Sequence, residues 1–142
     1  MGTLLDLAHR LEGVAERQAK RSSEIAVDTA KAVLQQILIS TPVDVSTAMS
    51  NWQVSIGKPT RLFRPAYNPG AKGSTRGASL SDAMAAGMSA LKGKSPGEPI
   101  YISNNAPYIT ELNRGSSRQA PAGFVEQAVL VGRIKARKAR GK

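Results

Sequence analysis

From Thr3 to Ser40 the chain holds no proline and one glycine, Gly13, while apolar and small residues return every three or four positions: Leu4, Ala8, Leu11, Ala15, Ala19, Ser22, Ala26, Thr29, Val33 and Ile37. That spacing is one helical period kept through many turns. Thr3 is placed to cap the first turn, and Asp6 stands where a carboxylate answers the exposed amides and the helix dipole. Pro42 excludes Thr41 from the α region and ends the run. At 1.5 Å per residue, a helix over about 3–40 is about 55 Å long, more than the width of a compact domain of this size. Two readings follow. The helix breaks, with Gly13 as the kink, and lies over its own sheet; or it projects, and its N-terminal part packs on a neighbouring subunit. The thin seam at Ala15, Ala19 and Ser22 gives a core little to grip.

The rest of the chain has to supply that core from 142 residues of which only 4% are aromatic. The length predicts a single domain, 1–132, of α+β class. Its elements are the long helix, a small antiparallel sheet, one or two further short helices and a long basic loop. Trp52-Gln53-Val54-Ser55-Ile56 alternates apolar with polar, the period of a half-buried strand, and Gly57 stops it. A second strand is expected at Pro99–Ser103. Between them Ser79–Lys92 reads as an amphipathic helix, capped by Ser79 or Ser81, with Leu80, Met84, Met88 and Leu91 on one face and Gly93 at its end. A further helical turn is expected from Pro107 through Ile109 and Leu112 to Gly115. The residues after Pro121, with Phe124, Ala128, Val129 and Val131, fit a helix or a strand.

Charge is distributed unevenly along this plan. The formal net charge is +10, yet residues 1–50 hold five Lys/Arg against six acids, leaving fifteen bases and four acids for the remainder. The surplus belongs to a loop over about 58–78, with Lys58, Arg61, Arg64, Lys72 and Arg76, and to a tail over 133–142, with Arg133, Lys135, Arg137, Lys138, Arg140 and Lys142. Loops of this length in a small domain are functional or disordered. The segment Arg61-Leu62-Phe63-Arg64-Pro65-Ala66-Tyr67 has enough apolar bulk to dock on something. A surplus of this kind suits polyanions or acidic protein surfaces.

Several chemistries are not supported by any pattern. The chain has no Cys and one His, which removes thiolate sites and thiol catalysis and leaves no His-centred constellation. His9 has Asp6 three residues before it but no nucleophile within reach of a sequence argument. Gly93-Lys94-Ser95 ends like a phosphate-binding loop, but Gly87 is one position too far upstream and the preceding segment is helical where the motif needs a strand. Asp44, Asp82, Glu98 and Glu111 are scattered, without a metal-ligand spacing. We therefore expect no catalytic, cofactor or metal site. No run approaches the roughly 20 apolar residues of a membrane span, and the N-terminus has no signal-peptide pattern, so no membrane association is expected. Helix-turn-helix, zinc-finger and RNA-binding strand patterns are missing too.

Two segments resemble a known family. Thr41-Pro42-Val43-Asp44 followed by Ser50-Asn51-Trp52 and a strand is similar to the way small neck or tail-completion proteins of long-tailed bacteriophages leave their first helix. Ile102-Ser103-Asn104-Asn105-Ala106-Pro107-Tyr108-Ile109, then Leu112, Gly115-Ser116 and Gln119-Ala120-Pro121-Ala122-Gly123-Phe124, resembles the family's strand, Asn-x-Ala-x-Tyr turn, short helix and Pro-containing approach to a last element. Val45-Ser46 and Ala48-Met49 stand where the family has Thr-Gly and Leu-Arg pairs, and Asn113-Arg114 replaces its usual Glu. The matches cover about 41–56 and 100–128. The resemblance implies a virion structural protein, assembled in the host cytoplasm. It would form a ring, six subunits being the expected number, between head-closure or adaptor proteins and the tail terminator or tail tube, with a channel for genomic DNA. Pro42, Asp44, Trp52, Asn105, Tyr108, Gly115, Pro121 and Phe124 carry the fold and turn motif. Asp44 closes an Asx-type turn and Asn104-Asn105 cap the turn led by Pro107; Trp52 and Tyr108 read as core anchors. The basic loop and tail would face acidic neighbours or passing DNA. The alternative reading, from composition alone, is a small basic protein that binds nucleic acid non-specifically through the same segments.

Overall fold

The computed structural model describes residues 3–42, 47–70, 73–115 and 122–141. In chain order the elements are α1 (Leu4–Ser40), α2 (Thr47–Ser50), β1 (Trp52–Ile56), α3 (Arg76–Leu91), β2 (Ile100–Asn104), α4 (Ile109–Asn113) and α5 (Phe124–Arg140). The class is α+β, with a long N-terminal helix and a small antiparallel sheet.

α1 is one uninterrupted helix of 37 residues, and Gly13 does not break it. Its start is a complete capping box: the Asp6 amide donates to Thr3 Oγ1 and the Thr3 amide donates to the Asp6 carboxylate, each at 3.1 Å. Its end is set by Pro42, which holds Thr41 extended at φ −70°, ψ 126°. Thr41 is nonetheless tied to the helix, because its hydroxyl donates to the Ile37 carbonyl at 2.5 Å and accepts from the Trp52 indole N–H at 2.8 Å. One buried hydroxyl thus joins the end of α1 to the first residue of β1.

β1 pairs antiparallel with β2 in the register Trp52↔Asn104, Val54↔Ile102, Ile56↔Ile100. β1 is as expected from its alternation; β2 starts and ends one residue later than expected. α3 begins at Arg76, ahead of the expected Ser79, and Thr75 precedes it without a side-chain cap bond. Ser79 is buried and its hydroxyl donates to the Asn68 carbonyl, so it is part of the helix interior rather than its cap. Gly93 lies beyond the cap residue Lys92 and is not among the left-handed glycines.

After Pro121 the chain is helical, and the residues expected as a tail are the second half of that helix, through Arg140. α5 runs antiparallel to α1 along its C-terminal half. The Gly132 backbone lies against Thr29 and Val33, where a Cβ would overlap Val33, and Arg21 donates to the Ala139 carbonyl at 3.2 Å. Glycine is needed here for close approach.

The core is one cluster: Leu34, Ile37, Leu38, Met49, Trp52, Ala83, Phe124 and Ala128. α3 closes it from the other side, with Gly87 set directly against the Leu34 side chain. Trp52 anchors the core as expected, together with Phe124, but Tyr108 does not: it is 37% exposed at the start of α4.

Candidate assembly site

The buried face of α1 is confined to its second half, at Ala30, Leu34, Ile37 and Leu38. Over residues 3–22 every side chain is exposed, and Gly13 is the one partly covered position. Leu4 is 86% exposed and Leu11 60%, and Leu5, Leu7 and Val14 are exposed too. α5 ends beside Arg21, and Lys94 and Pro96 border a cleft that reaches Lys20. The projecting part, residues 4–18, is about 22 Å of helix. Leu4, Leu7, Leu11 and Val14 fall on one stripe of it, at the three–four spacing of a helix made to pack.

Beneath the projection lies a groove of about 790 Å³. Its floor is the face of α1 from Ala19 to Val33, mostly small residues with Ile25 and Val33 among them, and its walls are Pro99, Ile100 and Ile102 with Ala136 and Arg140 of α5. Thr29 Oγ1 in this groove is buried without a hydrogen-bond partner. Lys94 and Glu98 stand at its mouth; the Lys94 ammonium donates to Ser23 Oγ at 2.8 Å, and Glu98 accepts from the Ser95 amide.

The basic residues separate into two groups. Arg64 lies over the Tyr67 ring, 3.4 Å from its centroid, and its backbone is clamped by the Asn51 side chain, which donates to the Arg64 carbonyl and accepts from its amide. Arg76 donates to the Ile39 and Thr41 carbonyls, meeting the negative end of the α1 dipole. Both are spent inside the fold. Lys58 and Arg61 are exposed, as are Arg133, Lys135, Arg137, Lys138 and Arg140 along α5. Lys72, Asp44 and Pro121 lie outside the described residues.

The long loop does dock, but on its own body and through its main chain. Gln53 Nε2 donates to the Leu62 carbonyl at 2.8 Å, and Asn105 Nδ2 donates to the Thr60 and Leu62 carbonyls, each at 3.1 Å. The Tyr67 amide donates to Ser50 Oγ. The apolar bulk that suggested docking remains outside, with Leu62 74% and Phe63 54% exposed. Asn105 is therefore a loop clamp and not the expected cap; Asn104 fills that role, its Oδ1 accepting from the Ala106 amide while its Nδ2 donates to the Ala48 carbonyl. Gly115 has φ +99°, a conformation that suits glycine.

Sequence reasoning passed over two asparagines. Asn51, fully buried, holds Thr47 and Arg64 together. Asn113 accepts from the Val125 amide and donates to the Glu126 carboxylate, so it caps α5 from outside the helix. Buried asparagines bridging main-chain groups have no periodic signature; their position beside turns is the available signal.

Among the described residues no three His, Cys, Asp or Glu side chains gather as a metal site, and no helix is long and apolar enough to cross a membrane. The molecule thus offers surfaces for association: a projecting apolar stripe, a groove of small residues, an exposed Leu62-Phe63 pair and a basic helix face. No family model, curated protein or solved structure matches the chain.

Proposed function

We propose that this chain is the subunit of a ring at the neck of a long-tailed bacteriophage, joining head-closure or adaptor proteins to the tail terminator or tail tube and leaving a channel for DNA. The observation that carries the assembly part of this reading is the projecting half of α1. A helix that leaves four stripe residues uncovered over residues 4–14 gains nothing from its own body. Isolated helices of this length are marginal in water, and most helical stability in proteins comes from packing an apolar face. A neighbouring subunit is the economical source of that packing, and an obligate assembly makes the stability of each chain depend on its partners.

The phage part rests on the family resemblance. Its two segments, far apart in sequence, meet in one corner of the fold: Trp52 pairs with Asn104, and Asn104 reaches back to Ala48. Their order and their contact both suit a single structural motif. The exposed bases of α5 then have a place, facing acidic neighbours or the DNA of the channel. Mass spectrometry of purified tailed particles carrying this gene checks the proposal. A few copies per particle are expected, far fewer than of the capsid protein; absence from the particles overturns it.

A second reading has its own observation, the acid-free run Arg133–Arg140 exposed on α5. Non-specific binding to duplex DNA would show micromolar affinity at physiological salt and a steep loss with added salt. No binding to duplex DNA at physiological salt, without competitor, removes this reading and leaves the ring.

A further inference from the structure

We infer that the apolar stripe of one copy, Leu4, Leu7, Leu11 and Val14, seats in the small-residue groove of the next copy, so that the chains associate head to tail. The inference deepens the ring reading and rests on it for its closure.

The occupant follows from the geometry of one molecule. Stripe and groove are built on the same uninterrupted helix, the stripe over residues 4–14 and the groove from Ala19 to Val33. A straight helix cannot lay its beginning on its own later turns, so the stripe reaches a groove of this kind only on another molecule. The lengths agree: the stripe covers about 15 Å and the groove about 21 Å along the helix axis. The shapes agree as well. The stripe presents branched side chains, while Ala19, Ser22 and Ala26 on the groove floor leave room for them beside Ile25 and Val33, between the walls of Ile100, Ile102 and Ala136.

Charge follows the same pairing. Arg10 and Arg17 flank one side of the stripe at helical spacing, with Asp6 four residues before Arg10 on the same side. Glu24 and Asp28 line a smaller cleft that adjoins the groove at Ser23 and Lys94, and Glu98 stands at the groove's own edge. Lys20, Lys94 and Arg140 also border these clefts, and Lys94 is held by Ser23 and the Ser95 carbonyl. Pairing of stripe with stripe is the weaker arrangement. The next positions in the three–four spacing are Gln18 and Arg21, so the seam ends after two heptads, short of the three or four that a coiled coil needs. Two different patches of one chain in contact make a heterologous interface, which closes into a ring or runs on as a filament.

The chain lacks cysteine, so a disulfide reports the contact without a background. Leu11→Cys and Ala26→Cys in the full chain lie fifteen positions apart on one helix, about 22 Å, and cannot bridge within a molecule. On oxidation the double variant is expected to give a ladder extending beyond the dimer, whereas each single variant stops at the dimer. Adding Leu7→Glu, an exposed position, is expected to cut the ladder at least tenfold while Trp52 fluorescence and the thermal melt stay as in the parent. Efficient dimerisation of Leu11→Cys alone, equal to that of the double variant, overturns the inference in favour of stripe-to-stripe pairing. Absence of cross-linking at millimolar protein overturns it outright. A ladder from a chain missing in purified particles overturns the neck reading and leaves the contact standing; presence in particles without a ladder does the reverse.

Discussion

Leu11 and Leu34 sit on one helix, 60% and 0% exposed respectively. Around Leu34, α3, α5 and β1 close in, and the backbone is held by contacts that the whole fold supports. Around Leu11 there is only the helix itself. What holds it there is local: the Thr3–Asp6 capping box, a sequence rich in Ala, Leu, Glu and Arg, and Asp6/Arg10 and Glu16/Lys20 at the favourable spacing of four. The difference teaches that a helical period says which residues share a face and not whether anything covers that face. In this chain the same period serves a core in one half and, on our proposal, a neighbour in the other.

The comparison is most severely tested by truncation at Leu34. Leu34→Ala removes a fully buried side chain and is expected to destabilise the chain by about 2–5 kcal/mol, measured by urea unfolding with the single Trp52 as reporter. Gly132→Val comes next. Its side chain would press on Val33, whose β-branched stem has little freedom to retreat, and a loss of about 1–3 kcal/mol is expected together with loosened α1–α5 packing; slower hydrogen exchange at α5 than in the parent would contradict this. Thr41→Val keeps the shape but removes both hydroxyl bonds, stranding the Trp52 indole N–H; about 1–2 kcal/mol is expected, with a shift in Trp52 emission. Thr3→Ala is expected to cost about 1 kcal/mol of local helix stability, seen as reduced ellipticity at 222 nm with the Trp52 transition unmoved. Smallest of all, Leu11→Ala is expected to leave the unfolding of the dilute chain within about 0.5 kcal/mol of the parent. A large effect there would mean that the projecting half is buried even in the isolated chain.

Much of the fold is legible in the residues. The bounds of α1 and β1 follow from caps, proline and alternation. The run after Pro121 is harder, because Phe124, Ala128 and Gly132 make a thin helical stripe whose last member is glycine; contact with Val33 and Thr29 explains that choice. Tyr108 is misjudged by any rule that sends scarce aromatics inward, since α4 leaves it at the surface. The seam read along α1 contains Ile37 but omits Leu34 and Leu38, both fully buried, Leu34 directly against Gly87 of α3. The basic loop looks like a row of free charges, whereas Arg64 and Arg76 are held by Tyr67, Ile39 and Thr41.

The sequence by itself determines where α1 starts and stops, how the two strands alternate and where the positive charge accumulates, because caps, proline geometry and side-chain period act over a few neighbouring residues. Only the tertiary structure decides which half of α1 is covered, which arginines are consumed as internal clamps and where a groove remains open. Those outcomes depend on partners such as Val33 with Gly132, or Thr41 with Arg76, that are brought together by chain folding over dozens of residues, and no local pattern encodes them.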